Sequence, residues 1–218
     1  MPIFKDRRDA GRQLAQELTS YANRQDVIVL ALPRGGVPVG FEVAQALNAP
    51  LDIFLVRKLG VPGHEELAFG AIASGGVRVL NKMVVRGFNL SETDIERVAR
   101  GELLELERRE KAYRGEDRPV KEISNRTVIL VDDGLATGAS MRAAIEGVRA
   151  KDPERIVVAV PTASPETCEL FESLVDEIVC AVTPQPFYGV GRWYHDFSQT
   201  TDEEVRLFLE QISKELNY

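Results

Sequence analysis

The sequence contains few of the residues from which metal sites and disulfide frameworks are built. Its 218 residues include only 2 cysteines and 2 histidines. Cys168 and Cys180 lack the close spacing of a metal site, and Cys180 lies in an apolar strand pattern, so we predict that it is a buried thiol. Because nothing in this cysteine usage indicates an oxidising compartment, we expect a cytoplasmic protein.

The chain also lacks long apolar runs and an excess of positive charge. No stretch reaches the roughly 20 apolar residues that a membrane-spanning helix needs, so we expect no membrane partner. With 27 Lys and Arg against 34 Asp and Glu, the net charge is −7, which argues against a general nucleic-acid binder. The length permits one full core, and we predict a single domain over 1–218.

Short β-branched and aliphatic runs alternate with helical patterns along the chain. Buried strands are predicted at 27–32, 51–56, 127–131, 155–160 and 177–182. This alternation predicts an α/β fold with a doubly wound, mainly parallel sheet flanked by helices, whose ligands lie at the carboxyl ends of the strands. A capped helix is predicted over 91–114, and a hairpin over 67–80.

The stretch 127–140 predicts an anion site. A buried strand is followed by Asp132 and Asp133, and then by a turn of small and hydroxylated residues where a helix begins: Ala136, Thr137, Gly138, Ala139 and Ser140. Free N–H groups at a helix start bind anions, and the carboxylates beside them suit sugar hydroxyls or water on a cation. The simpler interpretation is an acidic strand end and a capped helix. Neither the Walker lysine nor the three-glycine dinucleotide pattern is present.

This stretch resembles the phosphoribosyl pyrophosphate (PRPP) motif of type I phosphoribosyltransferases, in which four apolar residues precede two acids and Thr-Gly-x-Ser/Thr. The resemblance implies that Asp132 and Asp133 bind the ribose hydroxyls and that 136–140 hold the 5-phosphate. It also implies Mg²⁺, held mainly by PRPP and water with the two aspartates as candidate ligands. Because strand-end carboxylates contribute little to a core, replacing both by Asn should weaken PRPP binding without unfolding the chain.

Two further segments match this family. Arg34, Gly35 and Gly36 follow the first strand, where the family has its pyrophosphate loop, often with a non-proline cis peptide. Arg57 and Lys58 end the third predicted strand, and in the family such residues neutralise pyrophosphate. The resemblance thus implies a catalytic role for these three cations and the two aspartates, and a mobile lid over 59–66. On the residues alone, a tight glycine turn and two solvated cations explain the same pattern.

An aromatic segment over 184–197 resembles the hood that covers the purine in hypoxanthine-guanine phosphoribosyltransferases. The resemblance implies base binding by Phe187, Tyr188, Val190 and Asp196, with the hood formed by 59–80 and 184–200. An aromatic segment packed on the core is the alternative. The stretch 135–138 matches adenine phosphoribosyltransferases instead, yet alanines stand where purine enzymes place their acids, at Ala68 and Ala136. Glu65, Glu66 and Asp196 are the candidate replacement acids, and the alternative is an acceptor that needs no acid.

The resemblance covers nearly the whole chain and is greatest to a branch labelled simply phosphoribosyltransferase. It implies a Mg²⁺-dependent enzyme that transfers ribose 5-phosphate from PRPP to a nitrogenous base, a purine being one candidate, and releases pyrophosphate. Dimers are common in the family, so a homodimer is a candidate assembly. Two alternatives are a PRPP- or nucleotide-sensing regulator with little catalysis, and an unrelated phosphosugar isomerase or sugar-phosphate binder.

Overall fold

The computed structural model describes residues 3–115 and 121–216; part of the predicted polar linker, 116–120, lies outside them. In chain order its helices and strands are α1 (Arg7–Glu17), β1 (Val27–Ala31), α2 (Gly36–Leu47), β2 (Leu51–Ile53), β3 (Val56–Val61), β4 (His64–Ala73), β5 (Val77–Leu80), α3 (Lys82–Gly87), α4 (Glu92–Arg114), β6 (Thr127–Val131), α5 (Ala139–Arg149), β7 (Arg155–Thr162), α6 (Pro165–Glu172), β8 (Glu177–Val182) and α7 (Asp202–Glu215). None of these helices is long and apolar enough to cross a membrane.

The central sheet confirms the doubly wound prediction. Its order is β2-β1-β6-β7-β8, and every neighbouring pair is parallel. All residues of β1 and β6 are buried, because helices cover both faces. One core packs α1, α2, α4 and α7 on the sheet, and a second packs α5 and α6 on the other face.

A second, antiparallel sheet of order β3-β4-β5 stands beside the first. It confirms the predicted hairpin, but the prediction of one strand over 51–56 is wrong. The chain leaves the parallel sheet after Ile53, and the Leu55 N–H donates to the Ser74 hydroxyl at 2.8 Å. Arg57 and Lys58 therefore lie inside β3 rather than at a strand end. The segment 59–66, for which the resemblance implies a lid, forms the end of a second hairpin, since β3 and β4 remain paired as far as Val61 and His64.

Helix ends follow local capping signals. The predicted capping box of α4 is present, with the Ser91 and Asp94 side chains each accepting from the other residue's backbone N–H. The same device starts α7 at Thr201 and Glu204, a helix for which we made no prediction. Its apolar positions Val205, Leu209 and Ile212 have helical spacing, so the signal was present in the sequence.

The two cysteines form a disulfide between α6 and β8, and the prediction of a buried thiol at Cys180 is wrong. Packing of α6 on β8 places the Cys168 and Cys180 Cα atoms 6.9 Å apart, with a sequence separation of 12. That separation carries no signal by itself, because it depends on how the helix docks. The disulfide also removes the cysteine argument for a reducing compartment.

Replacing both cysteines by alanine should lower the free energy of unfolding by about 3 kcal/mol, the entropic estimate for opening a loop of this length. Urea titration with and without a reductant measures this difference. The wild-type midpoint should fall with the reductant, while the midpoint of the alanine variant should not move. Two reactive thiols in the unreduced, denatured wild type would contradict the disulfide.

Candidate active site

The predicted glycine loop and acid pair lie side by side at the carboxyl ends of β1 and β6. These strands pair in register from Val27 with Thr127 to Ala31 with Val131. The Leu32 N–H continues the ladder by donating to the Val131 carbonyl at 2.9 Å. A Cβ on Gly36 would lie 2.7 Å from that carbonyl oxygen. A side chain there would push the loop away from the acid pair.

Arg34 lies at the rim of this site. The Pro33–Arg34 peptide bond is cis, as the family resemblance implies for the pyrophosphate loop. The Arg34 guanidinium pairs with Asp202 at the start of α7, with 3.2 Å between Nη1 and Oδ1. Arg34 therefore belongs to the loop that was predicted to contact pyrophosphate, but its charge is balanced by a carboxylate from α7.

The two aspartates have different surroundings. Asp133 accepts from Arg7, with 2.8 Å between Nε and Oδ2, and both side chains are mostly buried (11% and 16% exposed). Arg7 also donates to the Ser198 carbonyl at 2.6 Å and lies 3.9 Å above the Phe197 ring. Among the described residues, Asp132 has no ion pair; its Oδ1 accepts from the Asp133 N–H at 2.8 Å. Asp133 is therefore held by Arg7, whereas Asp132 has no ion pair, among the described residues, that a ligand would have to displace.

Burial dominates the protonation of this pair. Desolvation raises the pKa of Asp132 well above its usual range, and the neighbouring Asp133 charge raises it further. Desolvation also raises the pKa of Asp133, although Arg7 opposes this shift. An ionised Asp132 is thus short of favourable partners. It fits a site for sugar hydroxyls or Mg²⁺, which typically takes one or two carboxylates together with phosphate and water oxygens.

The predicted phosphate turn surrounds the start of α5. Gly138 is the N-cap residue with φ of 70°, and Ala136, Thr137 and Ser140 are exposed. The first N–H groups of a helix have no intrahelical acceptor and point outward from its start. Helix α6 contacts the turn, because the Thr167 hydroxyl donates to the Ala136 carbonyl at 3.3 Å. The turn therefore presents backbone donors to solvent at the edge of the sheet.

Arg57 and Lys58 are separated by the pleat of β3, because successive strand residues point to opposite faces. Arg57 lines a cavity of about 130 Å³ together with Asp132 and Ser140. Lys58 lines a neighbouring groove of about 420 Å³ that Ala139 and Arg142 also line. The structure thus brings Arg57 to the cavity beside Asp132 and places Lys58 on the other side of the small sheet.

Two residues of α4 line the same cavity as Arg57 and were missed: Arg109 and Tyr113. The run 102–111 has mixed charge at helical spacing, a pattern that is typical of a solvated helix face. The buried Leu106 was the available signal, because it fixes which face of α4 turns toward the sheet. The charged side chains beside that face then lie near the cavity.

The aromatic segment packs against the site without forming a regular element beyond a 3₁₀ turn at Val190–Trp193. The Tyr194 hydroxyl donates to the Asp133 carbonyl at 2.6 Å, and Val190 packs against Gly134. Of the other predicted base contacts, Phe187 stacks on Trp193, Tyr188 is 73% exposed, and Asp196 accepts from the Ser198 N–H at 2.9 Å.

A parallel α/β sheet with a glycine loop at the end of one strand, and an acid pair and a helix-start turn at the end of the adjacent strand, is typical of proteins that bind phosphorylated sugars or nucleotides. Comparison with known proteins narrows this class. Residues 4–182 match the family model described as the phosphoribosyl transferase domain, and the chain belongs to this family.

Two curated relatives from Mycobacterium tuberculosis strains, named "Putative phosphoribosyl transferase" MT0597 and Rv0571c, are each 49% identical over 216 residues. The match covers 99% of this chain but 48% of each relative, so the chain spans about half their length. TT1426 from Thermus thermophilus has a TM-score of 0.85 at 44% identity, covering 97% of this chain and 99% of that one. AQ2163 from Aquifex aeolicus, at 13% identity and a TM-score of 0.51 with coverage of 93% and 85%, shares the fold.

Proposed function

We propose that the chain is a Mg²⁺-dependent phosphoribosyltransferase that transfers ribose 5-phosphate from PRPP to a nitrogenous base. The observation that carries this proposal is the contact between the glycine loop and the acid pair, with the turn 136–140 completing the same edge of the sheet. One ligand with a phosphate, a ribose and a pyrophosphate would match these three parts.

Each part of the site has a separate task in this reaction. The amides of the turn would hold the 5-phosphate, and Asp132 would accept from the ribose hydroxyls. Arg34, Arg57 and the amides of the loop would stabilise negative charge on the departing pyrophosphate as its bond to ribose C1 breaks. A nitrogen of the base would then bond to C1 with inversion. Mg²⁺, when bound, would neutralise phosphate charge, with Asp132 as its candidate protein ligand.

The residues that bind the acceptor base are a further part of this proposal. Phe187, Tyr188, Val190 and Asp196 are the candidate base contacts, and Lys58 is a candidate cation on the groove beside the turn. The proposal also includes a hood formed by 59–80 and 184–200, and a lid movement of the β3–β4 hairpin within it. It further includes a homodimer and a cytoplasmic location.

A regulatory protein that senses PRPP or a nucleotide is the second candidate. The observation that favours it is the cavity of about 130 Å³ beside Asp132, since ligand sites usually measure about 300–1,000 Å³. The two arginines that line it, Arg57 and Arg109, are also paired with carboxylates. Such a site would bind its ligand only after rearrangement, and it could do so without turnover.

Calorimetry with PRPP and Mg²⁺, followed by pyrophosphate release with a panel of purines and pyrimidines, tests the two candidates together. We expect PRPP to bind, and pyrophosphate to be released only when one acceptor base is present. Binding without release for every base would support the sensor. Binding of ribose 5-phosphate without binding of PRPP would instead indicate a sugar-phosphate binder, and it would contradict both the transferase and a PRPP sensor.

A further inference from the structure

Helix α4 presents a stripe of polar side chains along one face: Glu102, Glu105, Arg109 and Tyr113. Their spacing of three, four and four residues places them one above another on a helix. The helix is held by a buried ion pair at its end, where Arg114 Nε lies 3.0 Å from Asp52 Oδ1. The polar stripe is therefore fixed at the edge of a cleft, which we define as the cavity lined by Arg57, Arg109 and Asp132 together with the neighbouring Arg34.

The arginines of this cleft are paired with carboxylates from α4 and α7. Arg57 Nη2 lies 2.6 Å from Glu102 Oε2, and both side chains are 29% exposed. Arg109 Nε lies 2.7 Å from Glu105 Oε1. On the other side of the cleft, Asp202 accepts from Arg34, and its Oδ1 lies 3.3 Å from the Tyr113 hydroxyl. The cleft thus contains three guanidinium groups whose charges are balanced by groups of the protein itself.

We propose that Arg109 and Tyr113 complete the pyrophosphate subsite with Arg34 and Arg57, and that Glu102, Glu105 and Asp202 are counter-anions that the two phosphates displace. This inference rests on the proposed function and assigns to α4 a direct role in binding. Carboxylate and phosphate oxygens compete for the same donor fork of a guanidinium group, so one can replace the other with little change in the arginine.

Releasing the three carboxylates from their ion pairs costs little free energy. The released carboxylates return to water, because their ion pairs are partly or largely exposed, and such pairs contribute little to stability. The gain is larger, since a diphosphate offers more charge and can bind several arginines at once.

The test is calorimetry with Mg²⁺-pyrophosphate, ribose 5-phosphate and PRPP on Arg109→Ala. Arg108→Ala is the matched control, because Arg108 pairs with the same Glu105 at 2.8 Å but is 67% exposed and does not line the cavity. We expect Arg109→Ala to weaken pyrophosphate and PRPP binding about tenfold or more (roughly 1.4 kcal/mol). Ribose 5-phosphate affinity should stay the same, and Arg108→Ala should change none of the three.

A second variant tests whether Glu102 is a counter-anion, and its result does not depend on whether Arg109→Ala folds. Glu102→Gln should tighten pyrophosphate binding severalfold, whereas Glu96→Gln, which removes the partner of the exposed Arg78, should not. Equal pyrophosphate affinities for the Arg109 and Arg108 variants, or weaker pyrophosphate binding by Glu102→Gln, would overturn this inference. The proposed function would still stand if the wild-type protein binds PRPP. Wild-type protein that binds neither pyrophosphate nor PRPP would overturn both.

Discussion

Asp133→Asn and Asp132→Asn are expected to change stability in opposite directions. Burial raises the pKa of Asp133 as well, but removing its charge leaves the mostly buried Arg7 without its counter-charge. Breaking a buried pair from one side costs about 3–5 kcal/mol, so the loss of this pair outweighs the relief of desolvation. Because both side chains retain some exposure, we expect a loss of about 2–3 kcal/mol. Asp132→Asn instead removes a desolvated charge that faces another carboxylate, so the unliganded protein should become more stable.

The stabilisation expected for Asp132→Asn depends on pH, because burial raises the pKa of the Asp132 carboxyl in the folded protein. The carboxyl ionises in the unfolded chain near 3.8, but its folded pKa is raised. As pH rises above 3.8 the unfolded state loses the proton first, so stability falls until the folded pKa is passed and then stays lowered. The gain from Asp132→Asn should therefore be larger at a pH of about 7.5 than at about 4.5. Urea titrations at both values measure it.

Binding separates the same two residues in a second way. Asp132→Asn should weaken PRPP binding about tenfold or more, since hydrogen bonds to a charged acceptor contribute about 1.5–3 kcal/mol. Glu146→Gln is the control for stability, because it opens the exposed Glu146–Arg149 pair and should cost under about 1 kcal/mol. Destabilisation by Asp132→Asn, or unchanged stability of Asp133→Asn, would contradict the division of roles.

This division also shows where sequence reasoning reached its limit. The sequence pattern presents the aspartates as two equivalent strand-end carboxylates that contribute little to the core. The structure gives Asp133 a partner, Arg7, 126 positions away along the chain, and no local pattern indicates that contact. By contrast, the adjacency of the glycine loop and the acid pair followed from the alternation of strands and helices, because parallel strands present their carboxyl ends at one edge.

The same limit explains the missed parts of the cleft. Strand β3 carries Arg57 and Lys58 in a run that continues from β2, so the change of sheet at Phe54 and Leu55 left no break in the apolar pattern. Arg109 lies within a run of mixed charge that also fits a helix surrounded by solvent. Each depends on how one element docks on another, which is a property of packing rather than of local sequence.

The second large effect is expected for Gly138→Ala. The φ of 70° at Gly138 is unfavourable for a residue with a Cβ. A Cβ built there would lie 2.5 Å from Phe171 Cε2 and 2.6 Å from Cζ, which is too close for two carbon atoms. Phe171 is itself fully buried, so its ring cannot move aside without disturbing the core. The turn must shift instead, and its amides would then no longer converge on a phosphate.

Calorimetry with ribose 5-phosphate should therefore show affinity for Gly138→Ala reduced roughly 100-fold, which corresponds to about 2.7 kcal/mol. Gly76→Ala is the matched control, since Gly76 has φ of 76° and a Cβ added to it would meet no atom within 4 Å. It should lose about 1–2 kcal/mol of stability with ribose 5-phosphate binding intact. Adding Phe171→Leu to Gly138→Ala should restore part of the affinity if the ring contact is the cause. Normal ribose 5-phosphate binding by Gly138→Ala would mean that the phosphate lies elsewhere, because no shift of this turn could leave a bound phosphate undisturbed.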